Sequence, residues 1–419
     1  MTPQSTAPTT APSGDQPDRL AAMRPSAIRR IHDLAHELSG QALKGAQIRL
    51  HFGEPDLGTP DFIIDAACRA LRDGAVFYEN NQGRPDLTEA LATFYRQHHG
   101  VELTPDHFVV TCGAMQAIHL TMLGLLSPAD RVINITPSWP NFTEAARMAG
   151  ARVVEIPLQL SAAGHGFEID FDAIEGTLAD GLTTRMLIVN SPSNPTGWVM
   201  KPHEQNRLLK LCDDHSLMLV SDEIYDRIVF TADAAPSTLR NARSMDRLVV
   251  INGFSKTYCM TGWRLGYLIT QPQRAARLAR MQEFLVSHAP SMAQVAAITA
   301  LREGERFIDA NRSRYRHLRD LVAKRLSRLP GARVARCDGT FYSFFSLPQA
   351  RDSAAFCEEL LRATGVVLAP GSAFGAGGEG WLRLCFANEP AALEEAIDRI
   401  EGFLSGPAHA IRGQAPGQR

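Results

Sequence analysis

A lysine and an arginine eight residues apart stand in a run of small and apolar side chains, Ile251-Asn252-Gly253-Phe254-Ser255-Lys256-Thr257-Tyr258-Cys259-Met260-Thr261-Gly262-Trp263-Arg264-Leu265-Gly266. An amine in an apolar or cationic setting holds its proton less tightly, which makes it nucleophilic enough to condense with an aldehyde. Lys256 is therefore a candidate Schiff-base lysine; by residue type alone an ordinary surface lysine is the alternative. Two further residues are chemically conspicuous. Asp222 closes the apolar run Leu217 to Ser221, where it could neutralise a cationic ring or simply cap a strand-to-helix turn. Arg383 sits in the middle of Trp381-Leu382-Arg383-Leu384-Cys385-Phe386-Ala387. An arginine inside an apolar strand needs a carboxylate, supplied either by a fixed internal ion pair or by a bound ligand.

At 419 residues the chain exceeds the size at which one core usually stops growing, so two domains are expected. Between Phe62 and about Arg302, short β-rich runs alternate with helical patterns, which points to an α/β layer on a mostly parallel mixed sheet flanked by helices. The expected strands are His107 to Thr111, Arg131 to Ile135, Arg152 to Ile156, Arg185 to Asn190, Leu217 to Ser221, Arg247 to Asn252 and Leu265 to Thr270. Helices fit Gln116 to Leu126, Phe142 to Gly150, His203 to His215 and Gln273 to Leu301. Beyond Gly304 a long basic helix, short strands, a helix from Ser353 to Thr364 and a closing helix read as a smaller α+β domain. The expected organisation is a disordered tail (1–17), an arm packing with the small domain (18–60), a large domain (61–304), a small domain (305–405) and a second disordered tail (406–419). Gly113-Ala114-Met115, Pro137-Ser138-Trp139, Asn194-Pro195-Thr196-Gly197, Asp222-Glu223-Ile224-Tyr225 and Ser255-Lys256 each follow the end of an expected strand. That edge of an open α/β sheet is where ligands bind, so these clusters should converge.

Ser255-Lys256 followed by Gly262-Trp263-Arg264-Leu265-Gly266 resembles the cofactor-lysine signature of the class I/II aminotransferases, the aspartate-aminotransferase-like branch of the fold type I enzymes that use pyridoxal 5'-phosphate. The resemblance runs from about Leu50 to about Ile400. It implies a large cofactor-binding domain and a homodimer moving an amino group from an α-amino acid to a 2-oxo acid. Lys256 would carry the cofactor aldehyde and then move a proton at the substrate α-carbon. Asp222 would keep the ring nitrogen protonated. Tyr225 and Asn194 would donate to the ring 3-hydroxyl oxygen, and Trp139 would stack on the ring. For the phosphate, the resemblance implies the backbone of Gly113, Ala114 and Met115, with Ser255, Arg264 and Tyr78 of the other subunit. Arg383, Asn194 and the backbone at Gly53 would meet the substrate carboxylate, and Phe341 and Tyr342 lie in a segment near the side-chain pocket. Many relatives carry serine three residues before the lysine; this chain has Gly253.

The remaining signals exclude more than they add. A net charge of −2 gives no electrostatic case for nucleic acid or an acidic membrane surface. No apolar run is long enough to span a bilayer, and the first twenty residues lack the basic start and apolar core of a signal peptide. Seven irregularly spaced cysteines fit reduced thiols in a cytoplasmic protein. Gly375, Gly377 and Gly380 spell a dinucleotide fingerprint, but a strand rather than a helix follows. His32 and His36 are one helical turn apart without a third ligand, which reads as a solvated helix face, and no metal is expected. His98-His99 before Gly100 reads as a helix end. Elimination, decarboxylation or racemisation on the same cofactor stays open, because Lys256 and Asp222 do not choose which bond breaks. A non-catalytic sensor is disfavoured by the missing basic or helix-turn-helix segment before residue 50, and a dinucleotide-binding oxidoreductase by the misplaced glycine pattern.

Overall fold

The computed structural model describes residues 26–39, 46–161, 164 and 166–406. The expected tails, except for Gly406, and positions 18–25 and 40–45 of the expected arm lie outside the described residues. Seven strands form the main sheet: β1 (Phe108–Thr111), β2 (Arg131–Thr136), β3 (Arg152–Pro157), β4 (Thr184–Asn190), β5 (Met218–Asp222), β6 (Leu248–Gly253) and β7 (Gly266–Ile269). Their spatial order is β1-β7-β6-β5-β4-β2-β3. Every pairing is parallel except the two made by β7.

Sheets covered on both faces need apolar side chains on both, and the central strands supply them without polar alternation. Successive residues point to opposite faces. Leu187, Val189, Leu219 and Val250 accordingly join one apolar cluster, while Met186, Ile188, Val220, Val249 and Ile251 join another. A third cluster surrounds a separate antiparallel sheet of β8 (Arg333–Val334), β9 (Tyr342–Ser346), β10 (Ala369–Pro370) and β11 (Trp381–Cys385), in the order β8-β9-β11-β10. Ile31 and Ala35 from the helix Ala27–Glu37, with Leu50, are buried in this third cluster. Ile48–Arg49 pairs in parallel with Val366–Val367 beside it.

The expected strands lie within a residue or so of these bounds, His107 belonging instead to a short 3₁₀ turn. One expected helix does not exist as drawn. Gln273 to Leu301 divides into Pro272–Glu283 and Ser291–Glu303. Pro290 carries no N–H and disfavours helical backbone at the residue before it, and Ser287 adopts a left-handed φ of 64°. His98 and His99 do end a helix, Pro85–His99, closed by Gly100 at φ 64°.

Candidate active site

Six of the seven strands end at one edge of the sheet, and β7, running the other way, begins there. That reversal brings Arg264, two residues before β7, to the edge reached by Lys256 from the end of β6. A cavity of about 460 Å³ opens at this edge, lined by Gly53, Ala114, Met115, Trp139, Asn194, Asp222, Tyr225, Ser255, Lys256, Arg264 and Arg383. The five clusters read from the sequence thus converge. Gly113 adjoins the cavity rather than lining it. Tyr78 is 91% exposed, away from the cavity of its own chain, and meets the His288 ring edge-on at 5.8 Å.

Lys256 Nζ donates to the Gly53 carbonyl oxygen at 2.7 Å. Burial pushes the amine down to about 8, with Arg383 and Arg264 adding to the effect against Cys385 and Glu54. Asp222 lies at the end of β5. Its Oδ1 accepts from the Ile224 N–H at 3.0 Å and from Asn190 Nδ2 at 3.4 Å. No cationic side chain lies within ion-pair distance among the described residues, and burial pushes the carboxyl up to about 7. The turn after β5 is held by its other polar residues. Glu223 accepts from the Thr238 N–H, Asp226 meets His99 at 3.1 Å, and Arg227 pairs with Glu305 at 2.7 Å. Those anchors leave Asp222 and Tyr225 facing the cavity.

The opposite wall is built for an anion. The helix Ala114–Leu125 starts there, and the first N–H groups of a helix have no partner within it. Arg264, at a left-handed φ of 55°, sits over Gly113; a Cβ at Gly113 would lie 2.5 Å from its Nη2. Arg264 has a hydrogen bond to the Thr261 carbonyl at 2.8 Å and no carboxylate partner among the described residues. Gly253 is explained by crowding. It pairs with Gly266 across β6 and β7, and a Cβ there would approach Gly266 Cα at 3.0 Å and Leu265 O at 3.1 Å.

Arg383 enters from β11. Its Nη1 donates to Asn194 Oδ1 at 2.7 Å, its Nη2 donates to the His51 carbonyl, and its Nε is buried without a partner among the described residues. The guanidinium lies 4.4 Å from the Tyr342 ring centre and 4.8 Å from that of Phe374. The internal ion pair weighed as its alternative finds no carboxylate among the described residues. Tyr342 also bonds the Tyr225 hydroxyl at 2.7 Å, and a Cβ at Gly53 would fall 1.9 Å from the Tyr342 hydroxyl. Glycine is therefore the residue that fits at 53.

Several site residues were not singled out in the sequence. Asn190 receives the Asn194 N–H at 2.8 Å and donates to the Asp222 carbonyl at 3.1 Å, so it sets the spacing of two cavity residues. Its signal was an amide at the end of a buried strand. Asn141 and Arg29 also line the cavity. His32 does not sit on a solvated face with His36; it turns inward to His51 at 3.2 Å. Among the described residues no group of three or more metal-binding side chains occurs. The glycines from 375 to 380 form a loop into β11, where the Ala376 N–H meets Glu155 at 2.8 Å.

A family model described as aminotransferase class I and II matches residues 46–400. The chain belongs to the class I and II aminotransferases. It is 36% identical over 358 residues to an aspartate aminotransferase of Thermotoga maritima, covering 85% of this chain and 91% of that one. It is 34% identical to aromatic-amino-acid aminotransferase 2 of Thermococcus litoralis, covering 92% of this chain and 97% of that one. The structure of the Thermus thermophilus aspartate aminotransferase with maleate superposes with a TM-score of 0.85 at 33% identity, covering 93% of this chain and all of that one. Like its family, this aminotransferase uses pyridoxal 5'-phosphate. The cavity fits that group: a buried carboxylate without a cation, an amine held near neutrality, and a glycine-cleared helix start beside an arginine without an acid partner. No helix among the described residues is long and apolar enough to cross a membrane.

Burial raises the Asp222 carboxyl from 3.8 to about 7, so the folded apoprotein holds this proton more tightly than the unfolded chain. Stability is then lost as pH rises between those values, by a few kcal/mol in all. Asp222→Asn should therefore raise the melting temperature of the apoprotein at pH 8 and give little gain near pH 4. Equal melting at pH 8 would show that this carboxylate is not strained.

Proposed function

We propose that the cavity residues divide the work of amino-group transfer as follows. Pyridoxal 5'-phosphate, when bound, supplies an aldehyde for the amino group and a cationic ring that draws electrons from the α-carbon. Lys256 binds the aldehyde and, as a free amine poised near neutral pH, moves the proton at the α-carbon. Asp222 neutralises the ring nitrogen, and Tyr225 and Asn194 hydrogen-bond the 3-hydroxyl oxygen. The N–H groups of Ala114 and Met115, with Ser255 and Arg264, hold the phosphate, while Trp139 covers the ring. Arg383, supported by Asn194, takes the α-carboxylate at its unpartnered Nε. The observation that carries this reading is the pairing of an amine lowered to about 8 with a carboxylate raised to about 7 in one cavity; each is the group burial has left open to a partner. Lys256→Ala should lose cofactor absorbance and turnover together, and retained turnover would overturn the assignment.

Charge accounting narrows the substrate. Among the described residues, the charged ones lining the cavity are Arg29, Asp222, Lys256, Arg264 and Arg383. Four have places in the scheme above, and Arg29 has none. It stands in the first turn of Ala27–Glu37, where a cation is disfavoured by the helix dipole, and it has no carboxylate partner among the described residues. A second carboxylate on the substrate would answer it. The aspartate-named relatives and the maleate carried by the Thermus enzyme support this reading. Arg383→Ala should raise KM for every amino and oxo acid about tenfold or more, whereas Arg29→Ala should lower kcat/KM for aspartate or glutamate about tenfold and leave alanine nearly unchanged. An equal loss on all three amino acids would deny Arg29 this role.

The working unit in this reading is a homodimer divided as the sequence suggested, with a large domain over 61–304 and a small one over 305–405. Val76, Phe77 and Tyr78, together with Phe284 to Val286, expose large apolar side chains in two short runs, which supports burial by a second copy. Light scattering should give twice the 45.9 kDa of one chain, and a monomeric active enzyme would contradict it. Seven free cysteines support a cytoplasmic location, which cell fractionation tests.

A further inference from the structure

His51 is fully buried beside the cavity without lining it, and its Nδ1 has no partner among the described residues. Its Nε2 lies 3.2 Å from His32 Nδ1. Both imidazoles pack on Phe52, with ring centres 4.4 Å away for His51 and 4.6 Å for His32. Two imidazoles share such a bond only while at least one ring is neutral. Burial, then His32, Arg383, Arg49 and Arg29, hold His51 in its neutral form, and burial, then Arg29 and Arg49, act the same way on His32, opposed by Asp33. A neutral ring can therefore stand beside a buried guanidinium without repelling it.

The position of His51 in the chain gives the pair its consequence. The preceding segment is stitched to the small sheet and to the strand beside it: the Leu50 carbonyl accepts from Cys385 of that sheet and the Leu50 N–H donates to Val367 of the adjoining strand, both at 2.9 Å. The next two residues, Phe52 and Gly53, line the cavity, and the Gly53 carbonyl takes Lys256 Nζ. The carbonyl of His51 itself receives Arg383 Nη2. His32 lies on the helix that carries Arg29 to the cavity. One ring contact thus joins that helix to the backbone acceptor of the carboxylate-binding guanidinium.

We propose that the His32–His51 pair is a positioning device for Arg383, orienting its guanidinium toward the substrate carboxylate and tying the Ala27–Glu37 helix to the same point. Neither histidine touches substrate. The proposal rests on the assignment of Arg383 to the α-carboxylate. The test uses the cofactor-loaded enzyme with His32→Phe, which keeps the stacking on Phe52 and removes the N···N bond, with His51→Phe, and with both.

Each single variant should raise KM for amino and oxo acid about five- to tenfold, with kcat within about twofold and cofactor absorbance unchanged. The double variant should be no worse than the worse single one, because one contact is lost in all three. His32→Gln, which restores a hydrogen-bonding side chain, should recover part of the loss. Unchanged KM in His32→Phe overturns the proposal, as do single effects that multiply in the double variant or an equal fall in kcat and kcat/KM. His32 is only half-buried, so its variants carry the test if His51→Phe does not fold. If Arg383→Ala leaves KM unaltered, it is the carboxylate assignment that has failed.

Discussion

A carboxylate enclosed at the end of a central strand, without a cation to meet it, is the constraint from which the rest of the site follows. Asp222 has one backbone N–H and one distant amide as partners for its Oδ1, and burial, with the neighbouring Glu223 adding to it, favours its neutral form. Removing a lone carboxylate from water costs far more than such bonds return. A cationic heterocycle would restore the balance, which is the role proposed above for the cofactor's ring. The same enclosure acts with opposite sign on Lys256, loosening the hold of the amine on its proton.

The two sheets cooperate around this point. The elements of the large sheet contribute Asp222, Tyr225 and Lys256 to the cavity, while the small sheet contributes Arg383 across its bond to Asn194. Other contacts hold the same seam: Ser138 N–H to the Phe374 carbonyl at 2.9 Å, Ala376 N–H to Glu155 at 2.8 Å, and a bridge between Val229 and Gly339. In the proposed division of work, substrate recognition and cofactor chemistry thereby fall to different cores that share one cavity.

Much of this was legible in the sequence because the periodicities are strong. Runs such as Met186 to Val189 are buried on both faces, so a parallel sheet was readable, and the clusters at the strand ends marked the edge at which the cavity opens. Lys256, Asp222 and Arg383 stood out because each is a charged residue in an apolar neighbourhood. The direction of β7 was not legible, since a strand of four residues looks the same read either way; yet that reversal delivers Arg264. The break at 284–290 was hidden by helix-compatible residues on both sides of Pro290. Asn190, Arg29 and the His32–His51 contact depend on residues brought together only by the fold, and no spacing along the chain announces them.

The central claim is a covalent bond at one of the five lysines of the chain. Loading the purified protein with pyridoxal 5'-phosphate, reducing it with borohydride and mapping the peptides by mass should locate the reduced adduct on Lys256, in the peptide that also contains Ser255. An adduct on Lys44, Lys201, Lys210 or Lys324 instead, or none after saturation with the cofactor, would contradict the account.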